Sequence, residues 1–404
     1  MGETASEQGQ GLRLLHRVRA WAAVHKWTSL ICTLFLFVSC LTGLPLLFSD
    51  QIEQWISPHT YETLPPQTPT ANLDRLVATG RGLYPDQIVS QIFIDDDEPQ
   101  VYVWMAPSWS RLKIDPRSEH FIRFDARTGK VLEQSKPLAQ QRPDIMDVLA
   151  GLHEDLFIRL PGELFLGLMA LLFVVALVSG VVLYGPFMKR LEFGTVRRER
   201  SNRLRWLDLH NLLGVVTVTW ALVVGATGVI NELADPLFAL WRSTDVPSLL
   251  APWRGQSVPS QKDLASVQGA LDAARRALPG DVITSIVFPG NEDGSPHHYV
   301  LWAKGATPLM SRLFSPILVD ARTDRLTAVA RMPWYLRALE FCRPLHFGDY
   351  GGMPLKVIWL LLDLATLVVL GSGLYLWLSR RHSPIERRMR QMEEELSSAK
   401  LRST

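Results

Sequence analysis

Long apolar runs alternate with polar segments along the chain, and this pattern predicts the main elements before any motif is considered. The apolar runs are residues 27–49, 164–188, 211–231 and 357–379. Each is long enough to cross a hydrocarbon core of about 30 Å as a helix. Asp363 is the one charged residue within them. The pattern predicts a four-span membrane protein and excludes a purely cytosolic enzyme or a nucleic-acid-binding protein.

Charge beside the spans predicts the orientation. Overall the chain is 47% hydrophobic and 20% charged, with a formal net charge of +2. Lysine and arginine outnumber acids by four to two in residues 1–26, seven to three in 189–209 and seven to four from residue 380. Cytoplasmic loops carry such an excess. We therefore place the N-terminus 1–26, the loop 189–210 and the tail 380–404 in the cytoplasm. We expect the four spans to lie in the inner membrane of a bacterial cell.

The two long polar segments, 50–163 and 232–356, are then periplasmic, and they contain an internal repeat. The sequence Asp-Ala-Arg-Thr at residues 125–128 recurs at 320–323, and Leu-Tyr-Pro-Asp at 83–86 resembles Leu-Pro-Gly-Asp at 278–281. In each copy a helical pattern (73–81; 263–277) precedes β-rich runs (87–94, 100–105 and 120–125; 282–288, 298–303 and 313–320). A turn at 126–130 closes a hairpin. The sequence predicts two α+β modules related by an internal two-fold repeat.

Histidines repeat with the spans. His25 and His210 each precede a Thr-Gly pair by 17 and 18 residues, and His153 and His346 each precede a Ser-Gly pair by 26 and 27. The glycines are Gly43, Gly228, Gly180 and Gly373. The topology places His25 and His210 at the cytoplasmic side, and His153 and His346 at the periplasmic side.

Paired histidines facing each other across a helix bundle can supply both axial ligands of a haem iron. We expect His25 with His210 to ligate one haem and His153 with His346 another, with the glycines letting a flat macrocycle approach the backbone. Capping or interfacial roles for the histidines and small-residue packing for the glycines are the alternatives. A zinc or copper site is weaker, because no Cys or suitably spaced carboxylate accompanies the pairs. Surface positions are expected for the remaining histidines, His16, His59, His120, His297, His298 and His382.

Three further features bear on function. Asp363 is an intramembrane carboxyl group, so it is either functional or a satisfied polar contact in the bundle. Residues near the periplasmic histidines, Arg159, Trp334, Tyr335, Arg337, Arg343 and Tyr350, are either substrate- or propionate-binding or interfacial anchors. Of these, Trp334, Arg337, Arg343 and Tyr350 are our candidates for a substrate pocket. The three cysteines predict no disulfide framework, and the absence of a C-x-x-C-H motif excludes covalent c-type haem.

The histidines where the spans begin and the Asp-Ala-Arg-Thr turns together resemble the PepSY-associated transmembrane helix family. Within that family they are similar to the inner-membrane ferric-siderophore reductases of the ferrioxamine type. The resemblance covers residues 15–380. It implies a fold of four membrane helices with two periplasmic PepSY-like modules, and two non-covalent b-type haems. It also implies reduction of Fe(III) in a siderophore at the periplasmic face, with electrons from a separate donor such as membrane quinol or another reductase. A haem-free PepSY scaffold or regulator that binds a periplasmic protein or protease is the alternative.

The predicted orientation can be tested by proteolysis. Protease added to right-side-out spheroplasts should cut within residues 50–150 and 240–345 and leave 189–205 intact, because only the former are expected outside. Immunoblotting of the fragments checks this. Cleavage confined to 197–205 would contradict the orientation and the assignment of the histidines to the two sides.

Overall fold

The computed structural model describes residues 2–56, 58–65, 68–188, 195–197, 201–292, 294–307, 310–379 and 391. Much of the predicted cytoplasmic loop and nearly all of the predicted tail, His382 included, lie outside the described residues. The chain divides into a helical unit, Met1–Ile52, Ile145–Ala234 and Leu345–Thr404, and a sheet unit, Glu53–Asp144 and Asp235–Pro344.

Four long helices form the helical unit. They are α1 (Gly2–Leu46), α6 (Leu160–Met188), α7 (Asn202–Asn231) and α12 (Gly352–Leu378), and all four are long and apolar enough to cross a membrane. Large apolar side chains on them are exposed, Leu34 at 67% and Leu361 at 60%. Such surface is stable against lipid. The chain is therefore a multi-pass membrane protein, and the bilayer is its partner.

The bounds of the helices differ from those of several apolar runs. α1 starts well before residue 27 and stops at Leu46, and α7 starts at Asn202 rather than 211. Neighbouring pairs follow the cycle α1, α6, α7, α12 and back to α1. Thus α1 lies diagonally opposite α7, and α6 opposite α12.

Shorter helices adjoin the bundle. The ones that matter here are α5 (Ile145–Glu154) and α11 (Trp334–Phe347), which carry His153 and His346. Sharp turns follow both. Leu156, Phe157 and Arg159 have positive φ angles of 52°, 62° and 58°, and the Asp155 carboxylate accepts the amide protons of Phe157 and Arg159. Non-glycine residues in this region carry strain that surrounding contacts must offset.

The sheet unit is an eight-stranded antiparallel sheet whose two halves are built alike. The first half has α3 (Leu73–Leu83) and strands β1 (Ile88–Ile94), β2 (Gln100–Ala106), β3 (His120–Asp125) and β4 (Val131–Gln134). The second has α10 (Val267–Ala277) and β5 (Val282–Val287), β6 (His298–Lys304), β7 (Phe314–Asp320) and β8 (Leu326–Val329). The strand order is β4-β3-β2-β1-β5-β6-β7-β8.

The halves join through β1 and β5, where Ile92 pairs with Ile286. Both side chains are fully buried, and one apolar cluster runs through both halves under α3 and α10. The sheet unit is thus a single folded body with one core.

The repeated Asp-Ala-Arg-Thr motif is a turn device. Asp125 accepts the amide protons of Arg127 and Thr128, and Asp320 accepts those of Arg322 and Thr323. Such side-chain capping fixes a tight turn. The turns connect β3 to β4 and β7 to β8, so the hairpin predicted at 126–130 is confirmed.

Further segments differ between the halves. In the second half α8 (Ala234–Thr244) and α9 (Val246–Leu249) precede α10, whereas the first has α2 (Ser49–Ile56) before α3 and α4 (Trp109–Ile114) between β2 and β3.

The expectation of surface histidines was wrong at three positions. His298 is fully buried, because Ser295 Oγ lies 2.8 Å from its Nδ1 and the Trp253 ring lies 4.4 Å away. His297 is also buried. His120 is buried against the Tyr84 ring, with its Nε2 2.8 Å from Gln87 Oε1. His16 is exposed, and His59 is half-buried beside Glu98 at 2.9 Å.

Helices α3 and α10 of the sheet unit cap each other. Asp74 of α3 accepts the Ser266 hydroxyl and, at 2.7 Å, the amide of Val267 at the start of α10. In return Gln268 Oε1 accepts the Leu73 amide at 3.0 Å. The free amides at each helix N-terminus are thus bonded by the other half.

Asp74→Ala should loosen this junction. A lost N-cap costs about 1 kcal/mol, which is roughly fivefold in local opening. Hydrogen exchange by mass spectrometry should show faster exchange at the start of α10, with the exposed Asp86→Asn as control. Equal exchange in the two variants would contradict the capping role.

Candidate functional site

His25 on α1 is held by α6. Its Nδ1 lies 2.9 Å from the Ala176 carbonyl and 3.2 Å from Ser179 Oγ. The Ser179 hydroxyl itself donates to Ala176 O at 2.8 Å, so its lone pairs face the histidine. Since a carbonyl only accepts, Nδ1 must carry the proton.

His210 on α7 meets the same arrangement on α12. Its Nδ1 lies 3.0 Å from the Val369 carbonyl and 3.0 Å from Ser372 Oγ. Ser372 in turn donates to Val369 O at 2.9 Å. We name His25 and His210 together site A.

The histidines of α5 and α11 are held by threonines. His153 Nδ1 lies 2.9 Å from Ser39 O and 3.1 Å from Thr42 Oγ1 of α1. His346 Nδ1 lies 3.1 Å from both Val224 O and Thr227 Oγ1 of α7. We name His153 and His346 together site B.

All four rings therefore have one tautomer. With the proton on Nδ1, Nε2 keeps a lone pair, and no described residue bonds any of the four Nε2 atoms. A ring whose Nδ1–H is held by a backbone carbonyl is the usual state of a metal-ligating histidine. The four imidazoles are therefore neutral, each with an unprotonated Nε2.

The structure brings the two histidines of site B together. The ring centroids of His153 and His346 lie 6.4 Å apart at an interplanar angle of 64°. In site A, His25 and His210 lie on the diagonally opposite helices α1 and α7. That these two rings share one iron stays a prediction.

The four glycines lie against the histidine rings. A Cβ on Gly43 would lie 3.0 Å from Cε1 of His153, and one on Gly180 would lie 3.1 Å from Cε1 of His25. A Cβ on Gly228 would lie 3.3 Å from Cε1 of His346, and one on Gly373 would lie 3.3 Å from Cε1 of His210. The missing Cβ makes room for the imidazole itself, and the approach of a macrocycle to these glycines stays a prediction.

The donor set decides which metal centre the sites fit. Two imidazoles bound end-on through nitrogen at about 2 Å have centroids roughly 6 Å apart, close to the separation in site B. A bare zinc ion needs four ligands. Among the described residues, the one group of three or more metal-ligating side chains is Asp95, Asp96 and Asp97 in the sheet unit. A haem, which brings four planar nitrogens of its own, needs two axial ligands, and the histidine pairs fit it.

Acidic groups gather near site B. Burial, together with the negative charges of Glu163, Glu154 and Asp155, raises the pKa of Glu232, just beyond α7, to about 8. Near site A, by contrast, the Arg197 guanidinium binds Asp208, two residues before His210, at 2.6 Å and 2.9 Å. The two ends of the bundle therefore have different electrostatic surroundings.

The sequence comparisons agree with this architecture. The family described as PepSY-associated TM region matches residues 22–380, which include all four histidines. The chain belongs to the PepSY-associated transmembrane family. An uncharacterized protein of Pseudomonas aeruginosa is 27% identical over 283 residues, which is 61% of this chain and 67% of that relative.

The candidate pocket residues of this PepSY-associated protein are not equivalent. Trp334 is 81% exposed and Arg343 is exposed, so both are accessible. Arg337 is instead committed to the fold, because it donates to Phe314 O at 2.8 Å and to Glu340 at 3.0 Å. Tyr350 is half-buried in the turn Asp349–Gly351.

Sequence reasoning missed the residues that orient the imidazoles. A hydroxyl residue precedes each glycine: Thr42, Thr227, Ser179 and Ser372. We had used these positions only to measure spacing. A serine or threonine directly before each of the four glycines could have indicated this role. A hydroxyl on a helix, next to a glycine that leaves space, can hydrogen-bond a ring inserted there.

Gly43→Ala should displace His153. The added Cβ would lie closer to Cε1 of His153 than ordinary van der Waals contacts allow. The ring must therefore move, and its hydrogen bond to Ser39 O must weaken. We expect the Nδ1 resonance of His153 to shift in ¹⁵N-histidine NMR spectra of the protein in micelles. Gly371→Ala, in α12 with no heavy atom within 4 Å of the added Cβ, should shift none of the four. An unchanged His153 resonance in Gly43→Ala would contradict the close contact.

Proposed function

We propose that this protein is a di-haem b-type electron-transfer protein of the bacterial inner membrane that reduces a ferric siderophore at the periplasmic face. The observation that carries the proposal is the fixed tautomer of four histidines, whose free Nε2 atoms belong to two pairs. A haem bound in each pair would supply a one-electron Fe(III)/Fe(II) couple. Within this proposal the chain acts as an oxidoreductase.

The histidine pairs suit electron transfer rather than oxygen chemistry. Two histidine side chains in each site would hold the iron of a bound haem and would leave no position for dioxygen. Each ring is held by a carbonyl, a hydroxyl and a close glycine, which restricts its movement when the charge of the site changes. Rigid ligands keep the reorganisation energy of electron transfer small, and a small reorganisation energy favours fast transfer.

The spacing of the sites supports transfer across the membrane. On α1, His25 of site A and Thr42, which holds His153 of site B, are 17 residues apart, about 26 Å along a helix. With the orientation proposed from the flanking charges, site A lies at the cytoplasmic side and site B at the periplasmic side. A separate donor, such as membrane quinol, would then feed site A.

An internal two-fold repeat explains why the sites come in matched form. The two halves of the chain share the order histidine-bearing helix, α–β segment, histidine-bearing helix. Because each half starts on the same side of the membrane in the proposed orientation, the halves are related by an axis along the membrane normal. Each site takes one ligand from each half.

A ferric siderophore is the acceptor implied by the resemblance to siderophore reductases. Fe(III) is a hard ion that hydroxamate and catecholate oxygens bind far more tightly than Fe(II), so one electron weakens the complex and releases Fe(II) without breaking the ligand. Exposed Trp334 and Arg343 offer aromatic and cationic contacts to such a chelate. In this proposal Arg337 orders the local fold.

The alternative function is a haem-free scaffold, and one surface favours it. Phe93, Tyr102, Trp104 and Phe121 form a row of aromatic rings on the sheet, with neighbouring centroids 5.2 to 6.0 Å apart. Phe93 is 42% exposed. Such a surface can bind a protein partner, but it leaves the repeated histidine geometry without a purpose.

Paired ligation predicts that each haem is lost as a unit. Replacing either His25 or His210 by Ala should remove, or render high-spin, the same haem, and His153→Ala or His346→Ala should affect the other. Stoichiometry by the pyridine haemochrome assay should fall from about two haems per chain toward one. A double replacement within one pair should cost no more haem than either single change.

His59→Ala is the matched control, because His59 bonds Glu98 in the sheet unit, and it should keep both haems. If His25→Ala and His210→Ala depleted different redox components, the paired-ligand proposal would fail.

A further inference from the structure

A buried carboxyl group breaks the symmetry of the bundle beside site B. Asp363 of α12 is 9% exposed, and its carboxyl lies close to the thiol of Cys40 on α1. The four-span pattern has no other charged residue within its apolar runs. Ionisable groups at such positions are costly and usually functional.

The other half of the bundle is apolar at the equivalent place. The repeat spacing of the histidines pairs Asp363 with Ala170 and Cys40 with Gly225. A Cβ on Gly225 would touch Phe173 and Val174, at 3.2 Å and 3.1 Å. Since apolar packing is sufficient there, the polar pair is not required to hold the helices together.

Cys40 places the carboxyl group at the level of site B. It directly follows Ser39, whose carbonyl holds His153, and it lies one turn before Gly43, which contacts the same ring. In the other half Ala170 lies 3.9 Å from a Cβ on Gly228, the glycine that contacts His346. If the two halves follow the same repeat, Asp363 lies beside Ser39 and Gly43, the residues that contact His153.

No described cation compensates Asp363. α12 packs against α1, α7 and the turn Asp349–Gly351. From α1 the titratable group that faces Asp363 is Cys40. The charged residues of α7, namely Arg203, Arg205 and Asp208, all precede His210 at the site A end. In the turn, Asp349 pairs with Lys356 at 3.1 Å.

We propose that Asp363 binds a proton when an electron reaches site B, so that the protein couples proton uptake to electron transfer. This inference rests on the proposed function. One electron from the separate donor would pass through site A to site B, and one proton from water on the site B side would convert the Asp363 carboxylate to the neutral acid. When the electron leaves to reduce Fe(III) of the chelate to Fe(II), the proton returns to water.

The physical reason is charge compensation in a medium of low dielectric. An added electron at site B repels a nearby carboxylate much more strongly inside the bundle than in water. Binding a proton at Asp363 removes this repulsion. While site B is oxidised, the Cys40 thiol stabilises the Asp363 carboxylate. This interaction is lost when Asp363 binds the proton.

The experiment is a redox titration of the full-length, haem-loaded protein at several pH values. In the wild type, the midpoint potential of the component that His153→Ala removes should fall with pH, by up to about 59 mV per unit for one proton per electron. In Asp363→Asn, which keeps the shape of the side chain but cannot ionise, that slope should vanish. Cys40→Ser should keep it.

A second readout needs no variant. Reduced-minus-oxidised infrared spectra of wild-type protein carrying ¹³C-labelled aspartate should show a protonated carboxyl band that shifts with the label. Absence of this band, or a slope retained in Asp363→Asn, would overturn the inference. Two haems per chain with a flat pH profile would overturn it while leaving the proposed function intact, whereas a wild type without haem would overturn the proposed function itself.

Discussion

A ring nitrogen in an apolar bundle costs stability unless it is hydrogen-bonded, and the way four Nδ1 atoms meet this constraint explains the residue pattern of the bundle. Each Nδ1 lies within 3.2 Å of a carbonyl and a hydroxyl on the next helix. Leaving such a nitrogen unpaired in an apolar bundle would cost about 1 to 3 kcal/mol. Because the carbonyl can only accept, the bond also fixes which nitrogen is free for a metal.

The constraint explains the residue pattern along the helices. A carbonyl of an α-helix is normally bonded within the helix, so the ring shares it, and a hydroxyl three residues later provides a second acceptor. A glycine follows because the ring must come within about 3 Å of the backbone at that point. The dyads Thr42-Gly43 and Ser179-Gly180 are therefore docking places for a ring of a neighbouring helix.

Much of this architecture could be predicted from the sequence. The spans follow from apolar length, and β3 matches its predicted bounds while most other predicted strands are correct to within one residue. The pairing of His25 with His210 follows from topology and spacing. The sequence could not show that Ser179 rather than Ser372 holds His25, because that choice depends on which helices are neighbours in space. It also could not show the junction of Ile92 with Ile286, since either strand alone reads as an ordinary buried strand. His298 was misjudged because polarity does not indicate burial when Ser295 and Trp253 surround the ring.

The central claim is that the two histidine pairs of this PepSY-associated protein hold haem iron. The most direct measurement is the optical and low-temperature EPR spectrum of the purified wild-type protein, with iron counted per chain. The account predicts a Soret band, sharp α and β bands on reduction with dithionite, and two low-spin ferric signals of bis-histidine type. A colourless protein without iron, or a single high-spin signal, would contradict it.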